Sequence, residues 1–178
     1  MSSIIALAIL VFIGATIFKG VRIVPQGYKW IVQRLGKYHT TLGPGLNIVI
    51  PYIDEVAYKI TTKDIVLDIP SQEVISKDNA VLVMNAVAYI NLTTPEKAVY
   101  GIENYTWAIQ NLVQTSLRSI VGEMDLDDAL SSRDHIKAKL KAAISDDIAD
   151  WGITLKTVEI QDIQPSHTMQ SAMEEQAA

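Results

Sequence analysis

Residues 80–92, AVLVMNAVAYINL, decide how this chain folds. They are rich in Val, Ile and Tyr and apolar on both faces, so they read as a central β-strand rather than an exposed edge. Working outward toward the N-terminus, a polar run from Lys77 to Asn79 marks a turn. Residues 56–69 read as a further extended segment closed by Pro70. Toward the C-terminus the period changes. Thr94 is placed to cap a helix with Pro95 at its first position. After a break near Gly101, residues Ile109, Leu112, Val113, Leu117, Ile120 and Val121 recur at three- and four-residue steps. That spacing predicts a helix with one apolar face, closed by Gly122. Asp125 and Ser131 are candidate caps for a short turn and a following helix, which carries a narrow stripe of Ile136, Leu140, Ile144 and Ile148. Residues 153–163 return to strand, with Ile153 and Leu155 out of phase with Val158 and Ile160. This predicts a bulge or a strand covered on both sides, ending at Pro165. Ser166 begins a short last helix with Met169 and Met173 on one face. Strands and helices in separate runs give a mixed, α+β fold class.

The N-terminal third begins differently. Residues 1–18 carry no charged side chain, and from Ile4 to Phe18 only Gly14 and Thr16 interrupt an apolar run. Ile4, Ile5, Leu7, Ile9, Leu10, Val11, Phe12, Ile13, Ile17 and Phe18 are the expected membrane anchor. Fifteen residues at ~1.5 Å each cover ~22 Å of a ~30 Å hydrocarbon core. Val21, Ile23 and Val24 can lengthen the segment while Lys19 and Arg22 snorkel toward headgroups. A cleaved signal peptide needs cations before its apolar run, whereas here they follow it. Cations retained on the cytoplasmic side predict an outside N-terminus and a cytoplasmic domain. Residues 27–35, GYKWIVQRL, alternate as a strand. Gly43, Pro44 and Gly45 then make a tight turn before a short apolar strand from Leu46 to Ile50, ended by Pro51, so this tract reads as a hairpin.

Charge is divided unevenly. Residues 19–60 hold six Lys or Arg against two acids, while residues 61–178 hold nine against eighteen. The basic segment suits anionic headgroups, with Lys19, Arg22, Lys29, Arg34 and Lys37 as the expected contacts. The acidic remainder argues against nucleic acid. With no cysteine, disulfides, thiolate metal sites and cysteine nucleophiles are excluded. His39, His135 and His167 are scattered without metal-ligand spacing, and no nucleophile elbow, phosphate loop or dinucleotide fingerprint occurs. Asp125, Asp127 and Asp128 are better explained as charge at a helix N-terminus than as a metal or acid–base site. Neighbouring pairs such as Asp134 with His135 or Ser166 with His167 rarely supply the geometry of nucleophile and base. The expectation is a protein that is not an enzyme and needs no cofactor or metal.

The tract from Leu42 to Ile53 admits two readings. Leu46, Ile48, Val49 and Ile50 can insert shallowly among headgroups, or they can form a buried sandwich or barrel strand; so short an apolar run does not choose between them.

Taken in order, VPQGYKWIVQRLGKYHTTLGPGLNIVIPYIDEV, LDIPSQEVISKDNAVLVMNAVAYI, LRSIVGEMDLDDALSSRDHI and WGITLKTVEIQDIQP resemble the stomatin and prohibitin superfamily, also called SPFH or band 7 proteins. The resemblance covers residues 21–170 and is closest to the bacterial stomatin-like membrane proteins. It implies an anchor and juxtamembrane segment at 1–24, an SPFH domain at 25–165, and the start of a C-terminal helix at 166–178. In the family this helix continues as a coiled coil, absent from this chain, which stops at MEEQAA. The resemblance further implies a single-pass protein of the bacterial inner membrane that self-assembles into a homo-oligomeric ring or cage. Such a protein organises lipids in a membrane microdomain and confines partner membrane proteins. An alternative role is dedicated regulation of a membrane protease or channel through a specific interface, and an NfeD-type partner is expected for bacterial forms. Gly27, Gly43, Gly45 and Pro70 match family motifs but read physically as turn-makers.

Overall fold

The computed structural model describes residues 1–177, which fall into two contact units, Met1–Lys63 and the chain from Asp64 onward. The first unit opens with helix α1, Ser2–Gly20. It then forms two small sheets from β1 (Val21–Val24), β2 (Tyr28–Arg34), β3 (Lys37–Leu42), β4 (Gly45–Ile48) and β5 (Asp54–Thr61). β1 pairs antiparallel with β4, and β2 is the centre of a sheet ordered β3-β2-β5. Val24, Val32, Leu42 and Val49 form this unit's core, with Trp30 and Val56 packed against them.

Several expectations change here. The helix does not continue through Val21, Ile23 and Val24, which instead form β1. The Gly43–Gly45 turn does not close a hairpin either. β3 and β4 lie in different sheets, and the Asn47 side chain holds the turn by donating to the carbonyls of Gly43 (2.8 Å) and Gly45 (3.1 Å). The hairpin of this unit is β2–β3, closed at Leu35 and Gly36, both at positive φ (51° and 82°). That is the backbone a two-residue turn matched to strand twist requires, and Leu35 is a costly residue for it.

The second unit is a three-stranded antiparallel sheet with helices on one face. Its strands are β6 (Ile65–Ile75), β7 (Val81–Leu92) and β8 (Ile153–Pro165), in the order β6-β7-β8. The central position predicted for residues 80–92 holds. Leu82, Met84, Ala86, Ala88, Ile90 and Leu92 are buried on one face of β7, and Val87 is buried on the other. Residues 56–69 are not one segment: β5 stops at Thr61 and β6 starts at Ile65, in a different sheet. Nor does Pro70 end a strand. β6 runs through it because Pro70 and Ser71 together oppose Asn85 in a bulge on an edge strand, where no ladder N–H is lost. The phase change in β8 resolves as two bulges, since register skips Lys156 and Gln161. Leu155, Val158 and Ile163 are thereby returned to the same buried face.

Helices α2 (Pro95–Gly101), α3 (Tyr105–Gly122), α4 (Leu126–Ser131) and α5 (Arg133–Ala149) separate β7 from β8, and α6 (His167–Ala177) follows β8. α3 packs on β6 and α5 on β8, burying Ile109, Val113 and Leu117 together with Ile136, Leu140, Ile144 and Ile148. Capping differs from expectation at three places, the first being Thr94, which precedes α2 but makes no side-chain cap bond. The Asp125 side chain makes no cap bond; Asp78, from the turn before β7, accepts the Leu126 N–H instead (3.2 Å). Ser131 is the last residue of α4, its hydroxyl donating to the Asp127 carbonyl, and Ser132 precedes α5. The turn at 152 depends on glycine. Gly152 has φ +68°, and a Cβ there would lie 2.4 Å from the Thr94 carbonyl oxygen.

Candidate functional site

α1 is nineteen residues long, so it spans ~28 Å at ~1.5 Å per residue. It is the one helix among the described residues long and apolar enough to cross a membrane. Its large side chains from Ile4 to Phe18 are exposed in the chain on its own, so they pack against nothing within it. The one hydroxyl inside the run, Thr16, donates to the Phe12 carbonyl at 2.8 Å, leaving no free donor in the apolar segment. Lys19 sits in the last turn, where a cation complements the helix dipole, and its Nζ lies 5.7 Å from the centre of the Tyr52 ring.

The helix hands directly into the β1/β4 ribbon. The Val49 N–H donates to the Gly20 carbonyl (2.8 Å), and a Cβ on Gly20 would stand 2.7 Å from the Val49 carbonyl oxygen. Glycine is therefore what allows helix and ribbon to meet. In the ribbon Val21 opposes Ile48 and Ile23 opposes Leu46. Strand alternation sends Val24 and Val49 to one face, into the core, and Ile23, Leu46, Ile48 and Ile50 to the other. The outer set is 70 %, 71 %, 79 % and 49 % exposed. Four aliphatic side chains so exposed on one small ribbon make an apolar patch of the kind that marks an interaction surface. Val49, grouped with them on sequence, is 6 % exposed and belongs to the core. Phe18 at the helix end and Tyr52 just past the ribbon are also strongly exposed.

The expected basic contacts divide. Lys19, Arg22 and Lys37 are exposed, and Lys29 is half-buried in β2. Arg34 is already paired: its Nε donates to Asp54 Oδ1 at 2.7 Å and its Nη2 to Oδ2 at 3.0 Å. That pair and the Ile50 N–H hold the Asp54 carboxyl down at about 2. Arg34 is thus a structural residue of β2 and β5. Sequence reasoning missed Ile23 as a ribbon residue because it was counted toward the helix; its alternation with Val24 was the available signal.

The second unit offers no comparable chemistry. Among the described residues no group of three or more His, Cys, Asp or Glu could hold a metal ion. The Ser166 hydroxyl accepts the Met169 N–H at the start of α6, and Asp134 and His135 are adjacent on α5, about 100° apart around the helix.

Comparison with known proteins agrees with this architecture. Residues 22–178 match the model of the SPFH domain / Band 7 family. An uncharacterised protein of Methanocaldococcus jannaschii is 41 % identical over 160 residues, covering 90 % of this chain and 80 % of its own length. An uncharacterised protein of Mycobacterium tuberculosis is 35 % identical over 176 residues, 98 % of this chain. The human mitochondrial stomatin-like protein 2 is 37 % identical over 153 residues, 86 % of this chain. The chain spans only 46 % of the mycobacterial relative and 43 % of the human one.

Proposed function

Because this chain belongs to the SPFH domain / Band 7 family, we propose that it is an oligomeric membrane scaffold. In this reading α1 spans the bilayer, the β1/β4 ribbon rests in the headgroup layer beside it, and copies of the chain together delimit a membrane patch that recruits or confines partner membrane proteins. The supporting observation is the continuity of two apolar surfaces, the exposed flank of α1 and the exposed outer face of Ile23, Leu46, Ile48 and Ile50. Gly20 joins them without an intervening linker. Burying aliphatic surface contributes roughly 25 cal/mol per Å², so a ribbon set against the bilayer adds to the hold of the helix. Lys19, Arg22 and Lys37 add attraction to anionic lipid, at ~1 kcal/mol for each cation near the surface. Tyr52 fits the aromatic belt at headgroup depth. In this reading the positive residues after α1 keep the domain on the cytoplasmic side, as cations flanking a membrane span favour.

The test is depth-dependent quenching by brominated lipids of a fluorophore placed at Ile48 or, as a control packed against the core, at Val56, in vesicles containing the whole chain. Quenching confined to Ile48 by shallow bromines supports the ribbon reading. Equal access of aqueous quencher to a label at Ile48 with and without vesicles removes it and leaves α1 as the sole attachment.

A further inference from the structure

Apart from Asp134 in its first turn, helix α5 carries its acids against its own dipole. Asp146, Asp147 and Asp150 crowd its C-terminal end, and its last turn holds no base, although a helix C-terminus disfavours acids. Lys137, Lys139 and Lys141 lie in its N-terminal half. Lys137 pairs with Glu159 on β8 and Lys141 donates to the Lys156 carbonyl. The side chains of Lys139, Asp146 and Asp150 have no partner among the described residues.

The buried stripe Ile136, Leu140, Ile144 and Ile148 fixes the roll of the helix. It leaves His135, Lys139, Ala142, Ala143, Asp146 and Asp150 as an exposed ridge. This ridge is its own complement. Turned about a two-fold axis passing between Ala142 and Ala143, Lys139 falls opposite Asp146, His135 opposite Asp150, and Ala142 opposite Ala143. We propose that α5 is a self-pairing surface through which two copies of this chain meet as antiparallel helices. Alanine at the centre lets the backbones approach, and each Lys139 faces the partner's Asp146.

A second copy is the occupant that this spacing selects, because an isologous contact requires residue i to meet j and j to meet i. A merely acidic or basic partner requires no such mirror placement. Antiparallel pairing also sets each acidic helix end beside the N-terminal half of its neighbour, where the dipole favours it. Exposed ion pairs are individually weak, and a single helix-on-helix contact falls short of the ~1,000 Å² that a stable free interface buries. The contact therefore works between copies already concentrated on one surface, where linkage raises effective concentration. In that respect it rests on the scaffold reading and adds to it a contact that joins copies in pairs.

The chain has no cysteine, so Ala142→Cys is its sole thiol. The full chain carrying it is incorporated in vesicles and oxidised, with Thr115→Cys on the exposed side of α3 as the collision control. The inference predicts disulfide dimers for Ala142→Cys well above the control. Adding Lys139→Asp or Asp146→Lys should slow crosslinking about fivefold, ~1 kcal/mol for the two pairs lost. Mixing the Lys139→Asp and Asp146→Lys chains should restore it, since acid and base again oppose each other at every position. Crosslinking indifferent to charge reversal, no recovery on mixing, or equal crosslinking of the control overturns the proposal. Particle size after gentle extraction separates the two readings. Large assemblies with no Ala142→Cys dimer overturn the α5 contact alone, whereas monomers throughout overturn both.

Discussion

Arg34 and Asp54 stand opposite each other at the end of the β2–β5 ladder and close a two-pronged ion pair, with Nε and Nη2 at 2.7 and 3.0 Å from the two carboxylate oxygens. Asp54 also accepts the Ile50 N–H at 2.9 Å, and its own N–H donates to the Ile50 carbonyl at 3.0 Å. One carboxylate thereby fixes both the strand pair and the loop that presents Ile50 and Tyr52.

This pair makes a pH prediction. The Arg34 hydrogen bond chiefly, then the Ile50 N–H and the charges of Arg34 and His39, lower Asp54 from 3.8 to about 2. A carboxylate depressed in the fold contributes stability that is complete above its unfolded value and is lost as pH falls toward its folded one. Asp54→Asn should therefore be less stable than the parent at pH 7. The gap should narrow between about pH 4 and pH 2 and vanish below, in urea melts run across that range. A gap that is constant with pH would contradict the assignment.

The helical stripe of α5 predicts a cavity penalty. Ile144, on the inner face of α5, is fully buried. Ile144→Ala should cost about 2–5 kcal/mol by chemical denaturation. Ala142→Ser, two residues away on the exposed ridge, should change stability by less than about 0.5 kcal/mol.

How much of this was legible beforehand follows from what periodicity can carry. The stripe Ile136, Leu140, Ile144 and Ile148 and the face of α3 were readable because a helix repeats its burial every three or four residues. The central place of β7 was readable because both its faces are apolar. Pairing was not: the Gly43–Gly45 turn looks like a hairpin until β4 is seen beside β1, a partner more than twenty residues away. Pro70 misled for a related reason, since a bulge on an edge strand cannot be told from a strand end without its neighbour. The apolar helix α1 was legible from its unbroken run of uncharged residues. The tract at Leu46 to Ile50 was left open between membrane and core because it mixes a buried residue with exposed ones. Alternation divides it, with Val49 inward and Leu46, Ile48 and Ile50 outward.

Gly152 predicts a backbone defect. Its N–H and carbonyl hold the Ala149 carbonyl and the Thr94 N–H, and a Cβ would strike the Thr94 carbonyl oxygen at 2.4 Å. With positive φ added, Gly152→Ala should destabilise the second unit by roughly 1–3 kcal/mol or more. Thermal melts should show this, and a melt equal to the parent's would contradict it.

The ribbon predicts a graded membrane effect. Replacing Leu46 and Ile50 together by Gln should return the depth signal of the label at Ile48 to its aqueous value while the chain stays membrane-bound through α1. Replacing Lys19, Arg22 and Lys37 by Gln should weaken binding to anionic vesicles more than to neutral ones, because each cation contributes ~1 kcal/mol at an anionic surface. Arg34→Gln should act through folding stability instead, since its guanidinium is committed to Asp54.

The central claim is that many copies of this chain act together at a membrane. The most direct measurement is electron microscopy, with particle mass, of the protein extracted gently from membranes. The account predicts closed rings or cages of many copies with lipid inside. Small particles holding one or two copies and a second protein would contradict it and make that protein's regulation the function.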